Sequence, residues 1–283
     1  MDLSIIILSY NTKEITNECL KRLQAKNKKN IEVIVLDNAS SDGSVEMIKK
    51  NYPWVNLIVS KENTGFSKGN NIAFKKSKYP VVLFMNSDVY VEDDTLEKAL
   101  GYFENRVEVM GPGMVFEDGS FQPSAGELPT PLNTILWIFG LGGFHPKKKS
   151  YFEKMRQVGW ITGAFFMIKR EVYERVGGFD ENIFMYLEEV ELCKRITLAG
   201  FKIWYVPEII VTHLHGASSK FDRSPALSKE LQGLKYYFQK YYKEIYPVVK
   251  LFLILGLIMR IVAFSLLGKT KRAKVYMEGL AVV

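Results

Sequence analysis

Residues 31–44 read Ile31-Glu32-Val33-Ile34-Val35-Leu36-Asp37-Asn38-Ala39-Ser40-Ser41-Asp42-Gly43-Ser44. The apolar run rich in Ile and Val predicts a buried strand over Ile31–Leu36, and the small polar residues after it predict a turn. A helical pattern over Ser44–Asn51 follows directly. A strand, a polar turn and a helix in this order form one unit of an alternating β/α fold.

The same unit recurs through the first half of the chain. Apolar, strand-like runs lie at Leu3–Leu8, Ile31–Leu36, Val55–Val59 and Val81–Met85. The helix-like stretches between them are Thr12–Ala25, Ser44–Asn51 and Thr64–Lys76. Nearly continuous apolar strands separated by helices predict an α/β fold, with a mainly parallel sheet and helices on both of its faces. Ligands of such sheets bind beyond the carboxyl ends of the strands.

The second half of the chain carries a shorter pattern of the same kind. The predicted strands are Ile161–Lys169, Phe201–Val206 and Ile209–His213, and the predicted helices are Arg170–Val176 and Glu188–Leu198. Turn formers, an apolar patch and a run of lysines occupy residues 117–158. We expect this segment to be a long, partly mobile connection over the site.

The composition is that of a folded globular protein, with 47% hydrophobic and 24% charged residues in a chain of 283. This balance excludes a disordered chain and a disulfide-built miniprotein. The formal net charge is +7, and the basic excess lies after residue 234 and not on the predicted sheet domain, which argues against a nucleic-acid partner. Two cysteines, Cys19 and Cys193, are too few for a disulfide framework and indicate reduced thiols in a cytosolic protein.

The C-terminal region, residues 221–283, is predicted to be a basic, apolar helical tail. Val248–Leu267 is almost wholly apolar, interrupted by Lys250 and Arg260 and followed by a basic cluster. Tyrosines precede this run, as interfacial aromatics would: Tyr236, Tyr237, Tyr241, Tyr242 and Tyr246. The two cations favour helices that lie on the inner leaflet against anionic lipid, at the cytoplasmic face of the cell membrane. A membrane-spanning helix, and a helix packed on the protein's own core or on a second copy in a homodimer, stay open.

Acidic side chains stand where strands are predicted to end. Asp37 could accept hydrogen bonds from a base or ribose there, whereas Asp42 fits helix capping better. Asp88 follows a predicted buried strand, where its carboxylate could bind a divalent cation that also contacts diphosphate oxygens. The alternative is that Asp88 only forms a turn. The first strand is not followed by Gly-x-Gly-x-x-Gly and the chain has no Walker lysine motif, so a dinucleotide oxidoreductase and a P-loop enzyme lose support.

Two further groups could carry chemistry. Glu188, Glu189 and Glu191 open a predicted helix after an apolar lead-in, where they either complement the helix dipole or form a partly buried acid pair suited to a general base. His213 and His215 follow a strand and face the same side, so they form either a metal site or a structural pair. The spacing alone does not decide between dipole complement and general base for the glutamates, or between metal site and structural pair for the histidines.

Taken together, these motifs resemble the inverting nucleotide-sugar glycosyltransferases of family 2, which have the GT-A fold. The matching stretches, in order along residues 1–220, are Ser4–Asn11, Val35–Ser44, Asn63–Asn71, Asn86–Val89, Thr162–Ala164, Gly177–Glu181, Glu188–Arg195 and His213–Ser219. Within the family the chain looks most like bacterial rhamnosyltransferases that use dTDP-rhamnose and build surface polysaccharides on polyprenyl-linked acceptors. The resemblance implies a nucleotide-sugar-binding half at 1–115 and an acceptor-binding, catalytic half at 116–220.

The resemblance also implies roles for individual residues. Nucleotide-sugar contacts are implied for Ser9, Asn11, Asp37, Asn63, Gly65, Asn86 and Ser87, and acceptor contacts for Thr162 and Gly163. Trp160 could stack on an acceptor sugar, with buried packing as the alternative. Asp88 and His213 are the implied ligands of Mg²⁺ or Mn²⁺, and His215 receives no role. Glu189 stands where relatives carry a catalytic Asp, so Glu188 and Glu191 are alternative or supporting acids.

The implied reaction is a single displacement with inversion. A carboxylate removes the proton of an acceptor hydroxyl as its oxygen attacks the anomeric carbon, and a metal and nearby dipoles stabilise the departing nucleoside diphosphate. A sugar-nucleotide pyrophosphorylase would share the first half but needs a Gly-rich basic loop, which Ser9-Tyr10-Asn11-Thr12 does not supply. The remaining alternatives are another nucleotide-sugar donor and a non-catalytic scaffold of a membrane glycan-assembly complex.

Overall fold

The computed structural model describes the whole chain except residues 25–29, 93, 105–106, 147 and 215–223 and the side chains of residues 224 and 225. The polypeptide forms two compact units. The first comprises the described residues of Met1–Gly126, Lys147–Phe184 and Glu188–Ser218, and the second those of Glu127–Pro146, Met185–Leu187 and Ser219–Val283. The sequence places residues 127–146 in the sheet domain, whereas the structure groups them with the C-terminal helices.

The first unit contains all of the described strands. They are β1 (Leu3–Ser9), β2 (Ile31–Asp37), β3 (Asn56–Val59), β4 (Val81–Asn86), β5 (Val89–Val91), β6 (Val109–Val115), β7 (Phe121–Gln122), β8 (Ala125–Gly126), β9 (Arg156–Gln157), β10 (Trp160–Ile161), β11 (Phe165–Lys169) and β12 (Ile203–His213). The α-helices of both units, in chain order, are α1 (Lys13–Gln24), α2 (Ser44–Asn51), α3 (Gly65–Phe74), α4 (Thr95–Glu104), α5 (Pro131–Ile138), α6 (Arg170–Arg175), α7 (Glu188–Leu198), α8 (Ser224–Tyr241), α9 (Tyr246–Leu266) and α10 (Thr270–Leu280). A 3₁₀ helix covers Lys149–Phe152.

The large sheet has the strand order β3-β2-β1-β4-β11-β6-β12-β5, with β7 beside β6 and β9 beside β12. Strands β1 to β4 are parallel to their neighbours among themselves, and β12 is parallel to β6. Strand β11 runs antiparallel to both β4 and β6, and β5 runs antiparallel to β12. The prediction of a mainly parallel sheet with covering helices is confirmed. Strands β8 and β10 form a separate two-stranded sheet.

Burial on both faces explains the continuous apolar runs of the central strands. In β4, the side chains from Val81 to Phe84 are completely buried and Met85 is nearly so. A strand covered on both faces must place apolar side chains on both, which removes the alternation typical of a half-exposed strand. Strand β1 follows the same rule, because Leu3 and Ile5–Ile7 are fully buried.

The structure differs from the sequence predictions in three places. Strand β5, helix α4 and strand β6 lie within residues 89–115, for which no element is predicted. Strand β12 is one strand with an irregular register between Val206 and Ile210, where Pro207 lacks a donor for the ladder, and not two strands. The prediction of one long connection over 117–158 is wrong, because that segment contains short strands, a 3₁₀ helix and α5. Helix α5 begins with a capping box at Thr130 followed by Pro131.

The second unit contains α5, α8, α9 and α10, in agreement with the expected helical tail. Tyr237 and Phe238 are completely buried in it, and Tyr246 is mostly buried. The prediction that the tyrosines before the apolar run Val248–Leu267 are interfacial is therefore wrong for Tyr237 and Tyr246, which belong to the core of this unit. Helix α9 is the one described helix that is long and apolar enough to cross a membrane, with 21 residues and a mean hydropathy of 2.3.

Candidate active site

The topology brings the predicted site residues of the first unit to one edge of the sheet. Strands β1, β2 and β4 all end there, and the register sets Ser9 beside Asp37. Antiparallel β11 begins at this edge, where the Asn86 N–H donates to the Ala164 carbonyl at 2.9 Å. Strand β12, which is parallel to β6, ends at the same edge with His213. Residues scattered over two hundred positions thus meet because of strand direction.

Asp37 is 0% exposed at the end of β2. Its Oδ1 accepts a hydrogen bond from the Ser40 N–H at 2.9 Å, and among the described residues its Oδ2 accepts none. A buried carboxylate oxygen without a donor is costly, roughly 1–3 kcal/mol or more for a charged group. Asp37 is therefore suited to receive an N–H or O–H from a ligand.

Ser9 and Asn11 differ in what they can contact. The Ser9 hydroxyl is buried and lies 3.3 Å from the Thr12 hydroxyl and 3.1 Å from the Thr16 hydroxyl. Asn11 is exposed, has a left-handed backbone with φ 52°, and accepts a hydrogen bond from the Ser41 N–H at 2.8 Å through its Oδ1. Ser9 thus stabilises the loop after β1 from its buried side. Of the two residues, only Asn11 is exposed and can contact a ligand.

Asn38, for which the sequence predicts no role, holds the loops after β2 and β3 together. Its Nδ2 donates to Asn63 Oδ1 at 2.9 Å, and its Oδ1 accepts from the Thr64 N–H at 2.8 Å. Asn63 Oδ1 also accepts from the Gly65 N–H at 3.0 Å. Gly65 has φ +76°, and a Cβ there would lie 2.7 Å from Phe184. Asn63 and Gly65 are therefore fixed in one turn that tolerates no side chain at position 65.

Asp88 after β4, Gln122 on β7 and His213 at the end of β12 form a buried polar group. Asp88 is 1% exposed, and its Oδ1 lies 3.4 Å from His213 Nε2. Gln122 Nε2 lies 3.0 Å from His213 Nδ1. Among the described residues, neither Asp88 Oδ1 nor Gln122 Oε1 has a hydrogen-bond partner. No role for Gln122 is predicted from the sequence, because Gln122 lies in the segment that is predicted to be a long connection.

Asp88 and His213 offer a carboxylate and an imidazole ligand side by side. Two adjacent ligands of a cation held at about 2.1 Å lie about 3 Å apart, which is close to the observed separation. The described residues contain no group of three or more His, Cys, Asp and Glu that could hold a metal ion. The pair therefore fits a cation such as Mg²⁺ or Mn²⁺ that completes its coordination with water and diphosphate oxygens. His215, which receives no role, lies outside the described residues.

Glu188 and Glu189 begin α7 directly after two strained residues. Tyr186 has φ 72° and Leu187 has φ 70°, a conformation that costs about 1–3 kcal/mol for each non-glycine residue. Glu188 is buried, whereas Glu189 is partly exposed. A Cβ at Gly163 would lie 3.7 Å from the Cβ of Glu189. Glu189 thus borders the predicted acceptor segment, and that segment adjoins the end of β4.

Glu191 is fully buried and paired within α7. Its carboxylate accepts hydrogen bonds from Arg195, with Nε at 3.0 Å from each oxygen and Nη2 at 2.6 Å from Oε2. Arg195 also donates to the Val176 carbonyl through Nη1 at 2.5 Å. This arrangement anchors α7 to the end of α6. It argues against Glu191 as an alternative base, because the Arg195 guanidinium already occupies both carboxylate oxygens.

The predicted acceptor residues differ in exposure. Thr162 is partly exposed and Gly163 is buried beside Glu189. Trp160 is 7% exposed, so its ring offers no open face to a sugar. The structure therefore argues against the predicted contact of Trp160 with an acceptor and assigns the side chain to packing.

Both cysteines are free thiols in buried positions, as the sequence indicates. Burial raises the pKa of Cys19 to about 12 and raises the pKa of Cys193 as well. A thiol with a raised pKa is a poor nucleophile, because the thiolate is the reactive form. Neither cysteine is prepared for chemistry.

Most of the chain matches the sequence profile of a known protein family. The sequence profile of Glycosyl transferase family 2 matches residues 4–177, which is more than half of the chain. The chain belongs to glycosyl transferase family 2. The prediction that it is a glycosyltransferase is confirmed, and the pyrophosphorylase alternative loses its support.

Two curated relatives extend the similarity of this glycosyltransferase beyond the profile. The N-acetylglucosaminyl-diphospho-decaprenol L-rhamnosyltransferase of Mycobacterium tuberculosis is 28% identical over 245 residues, which cover 79% of each chain. The rhamnosyltransferase WbbL of Escherichia coli (strain K12) is 29% identical over 221 residues, covering 74% of this chain and 82% of the relative.

A solved structure supports the fold of this glycosyltransferase. The mannosyltransferase PcManGT from Pyrobaculum calidifontis, in complex with GDP-Man and Mn²⁺, has a TM-score of 0.62 at 16% identity, covering 99% of this chain and 86% of that one. The expected GT-A fold is confirmed.

Proposed function

We propose that the protein transfers L-rhamnose from dTDP-rhamnose to a polyprenyl-diphosphate-linked saccharide, with inversion, during synthesis of a cell-surface polysaccharide. The observation that carries this proposal is the Asp88–His213 pair at the sheet edge where the acceptor segment adjoins Glu189. The names of the two curated relatives support rhamnose as the sugar and a polyprenyl-linked acceptor.

The donor is proposed to bind across the ends of β1, β2 and β4. Asp37 Oδ2 would accept a hydrogen bond from the base or ribose, since it is buried and lacks a donor among the described residues. Asn11, Asn63 and Gly65 would line the nucleoside, and Ser9 would support Asn11 from below. Asn86 and Ser87 would approach the diphosphate, because they lead directly into Asp88.

A divalent cation, Mg²⁺ or Mn²⁺, is proposed to bind at Asp88 and His213. When bound, the cation supplies positive charge that stabilises the departing diphosphate. The mannosyltransferase with the same fold was solved with GDP-Man and Mn²⁺, which supports a shared cation–nucleotide site. Asp88 would hold the cation through its buried Oδ1, and His213 through Nε2.

Glu189 is the proposed base. Its carboxylate would take the proton of the acceptor hydroxyl as that oxygen forms a bond to the anomeric carbon, on the face opposite the diphosphate. The bond from the anomeric carbon to the diphosphate oxygen breaks, and its electron pair leaves with the nucleoside diphosphate. Partial exposure beside Gly163 favours Glu189 over buried Glu188 and over Glu191, which is held by Arg195.

The direct test is transfer of labelled rhamnose from dTDP-rhamnose to polyprenyl-diphosphate-linked N-acetylglucosamine. Glu189→Gln should lower kcat at least 100-fold, since a positioned base contributes about 10²–10⁴-fold. Asp88→Ala should also lower kcat at least 100-fold, because the cation that Asp88 would hold supplies several kcal/mol of charge stabilisation. Glu46→Gln is the matched control, because Glu46 is an exposed glutamate in the first turn of α2. Wild-type rates in both site variants would remove the site assignment. A wild-type protein that transfers no sugar from any nucleotide donor would favour the scaffold alternative.

We also propose that the protein binds the cytoplasmic face of the membrane through α9. The exposed apolar side chains of α9 recur at helical spacing and form one stripe: Val248, Leu251, Leu255, Ile258, Met259, Val262 and Leu266. The opposite face packs within the second unit, where a Cβ at Gly256 would lie 2.6 Å from Ile138 of α5. Arg260 is turned away from the stripe, since its Nε donates to the Ile138 carbonyl at 3.0 Å.

The packing of the second unit favours an in-plane helix over a membrane span. Helices α8 and α10 pack against α9, and the rings of Phe264 in α9 and Tyr276 in α10 stack at 5.5 Å. A spanning α9 would take charged residues of its neighbours, such as Lys235 and Glu278, towards the hydrocarbon. Each such charge costs about 2.5–3.5 kcal/mol at the bilayer centre. An in-plane α9 buries only its apolar stripe and leaves the basic residues of the tail near anionic headgroups.

Vesicle binding tests this placement. The full chain should bind vesicles that contain anionic phosphatidylglycerol more tightly than neutral vesicles, and alkaline carbonate should release it. Leu255→Asp should weaken binding at least tenfold, because burial of one leucine contributes about 1.5–3 kcal/mol. Leu198→Asp, at an exposed leucine of α7, is the control. Resistance to carbonate would indicate a span, and equal binding of both variants would refute the stripe. The homodimer stays a prediction.

A further inference from the structure

We infer that Gln122 is a positioning residue whose side-chain amide sets which ring nitrogen of His213 carries the proton, so that Nε2 can bind the proposed cation. This inference rests on the proposed function. Gln122 lies on β7, opposite Met114 of β6, and is only 6% exposed. Its Nε2 lies 3.0 Å from His213 Nδ1.

The amide can stand in two orientations, and each selects one form of the neutral imidazole. With Gln122 Nε2 towards the ring, His213 Nδ1 accepts a hydrogen bond, so the ring proton sits on Nε2 and faces Asp88 Oδ1 at 3.4 Å. After a half-turn of the amide, Oε1 accepts a hydrogen bond from Nδ1–H. His213 Nε2 then presents a lone pair on the side of Asp88.

Only the second form can bind a cation, because a ligating nitrogen must be unprotonated. A histidine that ligates a metal usually donates its other ring N–H to an acceptor, which fixes the ring and its tautomer. Gln122 Oε1 is such an acceptor, and among the described residues it has no other hydrogen bond. The Gln122 amide can donate to His213 Nδ1 in the cation-free form and accept from Nδ1–H in the cation-bound form. A side chain that can only accept a hydrogen bond favours the cation-bound form, and an apolar side chain favours neither form.

Mn²⁺ titration in the presence of dTDP, with free Mn²⁺ followed by electron paramagnetic resonance, tests the inference without catalysis. Gln122→Met should weaken Mn²⁺ binding about 10–100-fold, the usual effect of removing the partner of a ligating histidine. Gln122→Glu keeps the acceptor and should bind Mn²⁺ within about threefold of wild type. Gln157→Met, at an exposed glutamine of β9, is the matched control and should bind as wild type.

The tautomer of His213 can be measured directly, and it would not change if Gln122 had only a structural role. The chain has three histidines, so ¹⁵N-histidine spectra are simple to assign. With Mg²⁺ and dTDP bound, wild-type His213 should carry its proton on Nδ1, and without Mg²⁺ on Nε2. In Gln122→Met, addition of the same Mg²⁺ should leave more of the Nε2–H form.

Two results would overturn the inference. One is Mn²⁺ affinity in Gln122→Met equal to wild type, and the other is a proton on Nε2 in the Mg²⁺-bound wild type. If the wild type transfers rhamnose normally in either case, the role of Gln122 fails while the proposed function stands. A wild type that neither binds Mn²⁺ nor transfers sugar refutes both together.

Discussion

Replacing Gly233 by alanine tests how the turn before the acidic start of α7 is held. Gly233 lies in α8, and a Cβ there would lie 2.8 Å from the Tyr186 carbonyl oxygen and 2.9 Å from Leu187 Cβ. Tyr186 and Leu187 are the two left-handed residues that lead directly into Glu188. Helix α8 thus needs glycine at this position, because the turn packs against its bare backbone.

The size of the effect follows from these distances. To reach an ordinary contact of 3.4 Å, the Tyr186 carbonyl must move by about 0.6 Å. Overpacking of this kind costs about 1–3 kcal/mol, of which the better helix propensity of alanine returns about 0.5–1 kcal/mol. A catalytic group misplaced by 1 Å can lose about 100-fold in rate. We therefore expect kcat to fall about tenfold and the free energy of unfolding to fall by about 0.5–2 kcal/mol.

The assay combines steady-state rhamnose transfer with denaturant unfolding. The KM for dTDP-rhamnose should stay near its wild-type value, because the proposed donor residues lie on other loops. Gly101→Ala in α4 is the control, since among the described residues nothing lies within 4 Å of a Cβ there. A wild-type kcat in Gly233→Ala, with the expected loss of stability, would show that the turn does not position the base.

Three other changes have defined outcomes. Asp42→Ala should lower stability by about 1–2 kcal/mol, because the Asp42 carboxylate accepts from the first N–H of both α1 and α2. Burial raises the pKa of Asp42, but hydrogen bonds to its carboxylate outweigh it and lower the pKa, so this stability is present above about pH 4 and lost as the pH falls further. Arg195→Met should cost about 3–5 kcal/mol by leaving the Glu191 charge buried, and Glu191→Gln should recover part of that loss. Gly178→Ala should cost about 2–3 kcal/mol, since Gly178 has φ +73° and a Cβ would lie 2.7 Å from Asn71 Oδ1.

Each of these changes has a measurement that checks it. Urea unfolding at pH 7 and pH 3 should show a larger Asp42→Ala difference at pH 7 than at pH 3. A Glu191→Gln, Arg195→Met double variant that is no more stable than Arg195→Met would contradict the buried-charge explanation. Gly177→Ala is the control for Gly178→Ala, because Gly177 also has a left-handed φ of +82° but no described atom within 4 Å of a Cβ. Equal losses in both glycine variants would remove the contact with Asn71 as a cause.

The strands of the first half could be predicted from the sequence because burial on both faces leaves a strong local signal. The run from Val81 to Met85 is an example, and its burial matches the pattern. The element order also predicted that Asp37 and Asp88 stand at strand ends. Strand β6 was missed because Val109–Val115 contains two glycines and a proline, and Gly111 is required where a Cβ would lie 2.8 Å from Ile161.

Contacts between distant segments could not be predicted in the same way. Gln122 and His213 are 91 positions apart, and the two-residue strand that carries Gln122 has no periodicity to detect. The role of Glu191 had a local signal, since Arg195 follows at the i+4 position on the same helix face. The burial of Trp160 and Tyr237 depends on tertiary packing, so the sequence alone could not decide between a surface role and packing for either ring.

The position of β11 in the sheet limits which fragments of this enzyme can fold on their own. Residues 1–115 supply β4 and β6, but β11, from Phe165–Lys169, lies between those two strands in the sheet. A fragment that ends near residue 115 would leave both strands with an open edge and no neighbour to join them. Exchange of donor-recognition segments between relatives should therefore succeed only as replacement of the loops beyond the strand ends.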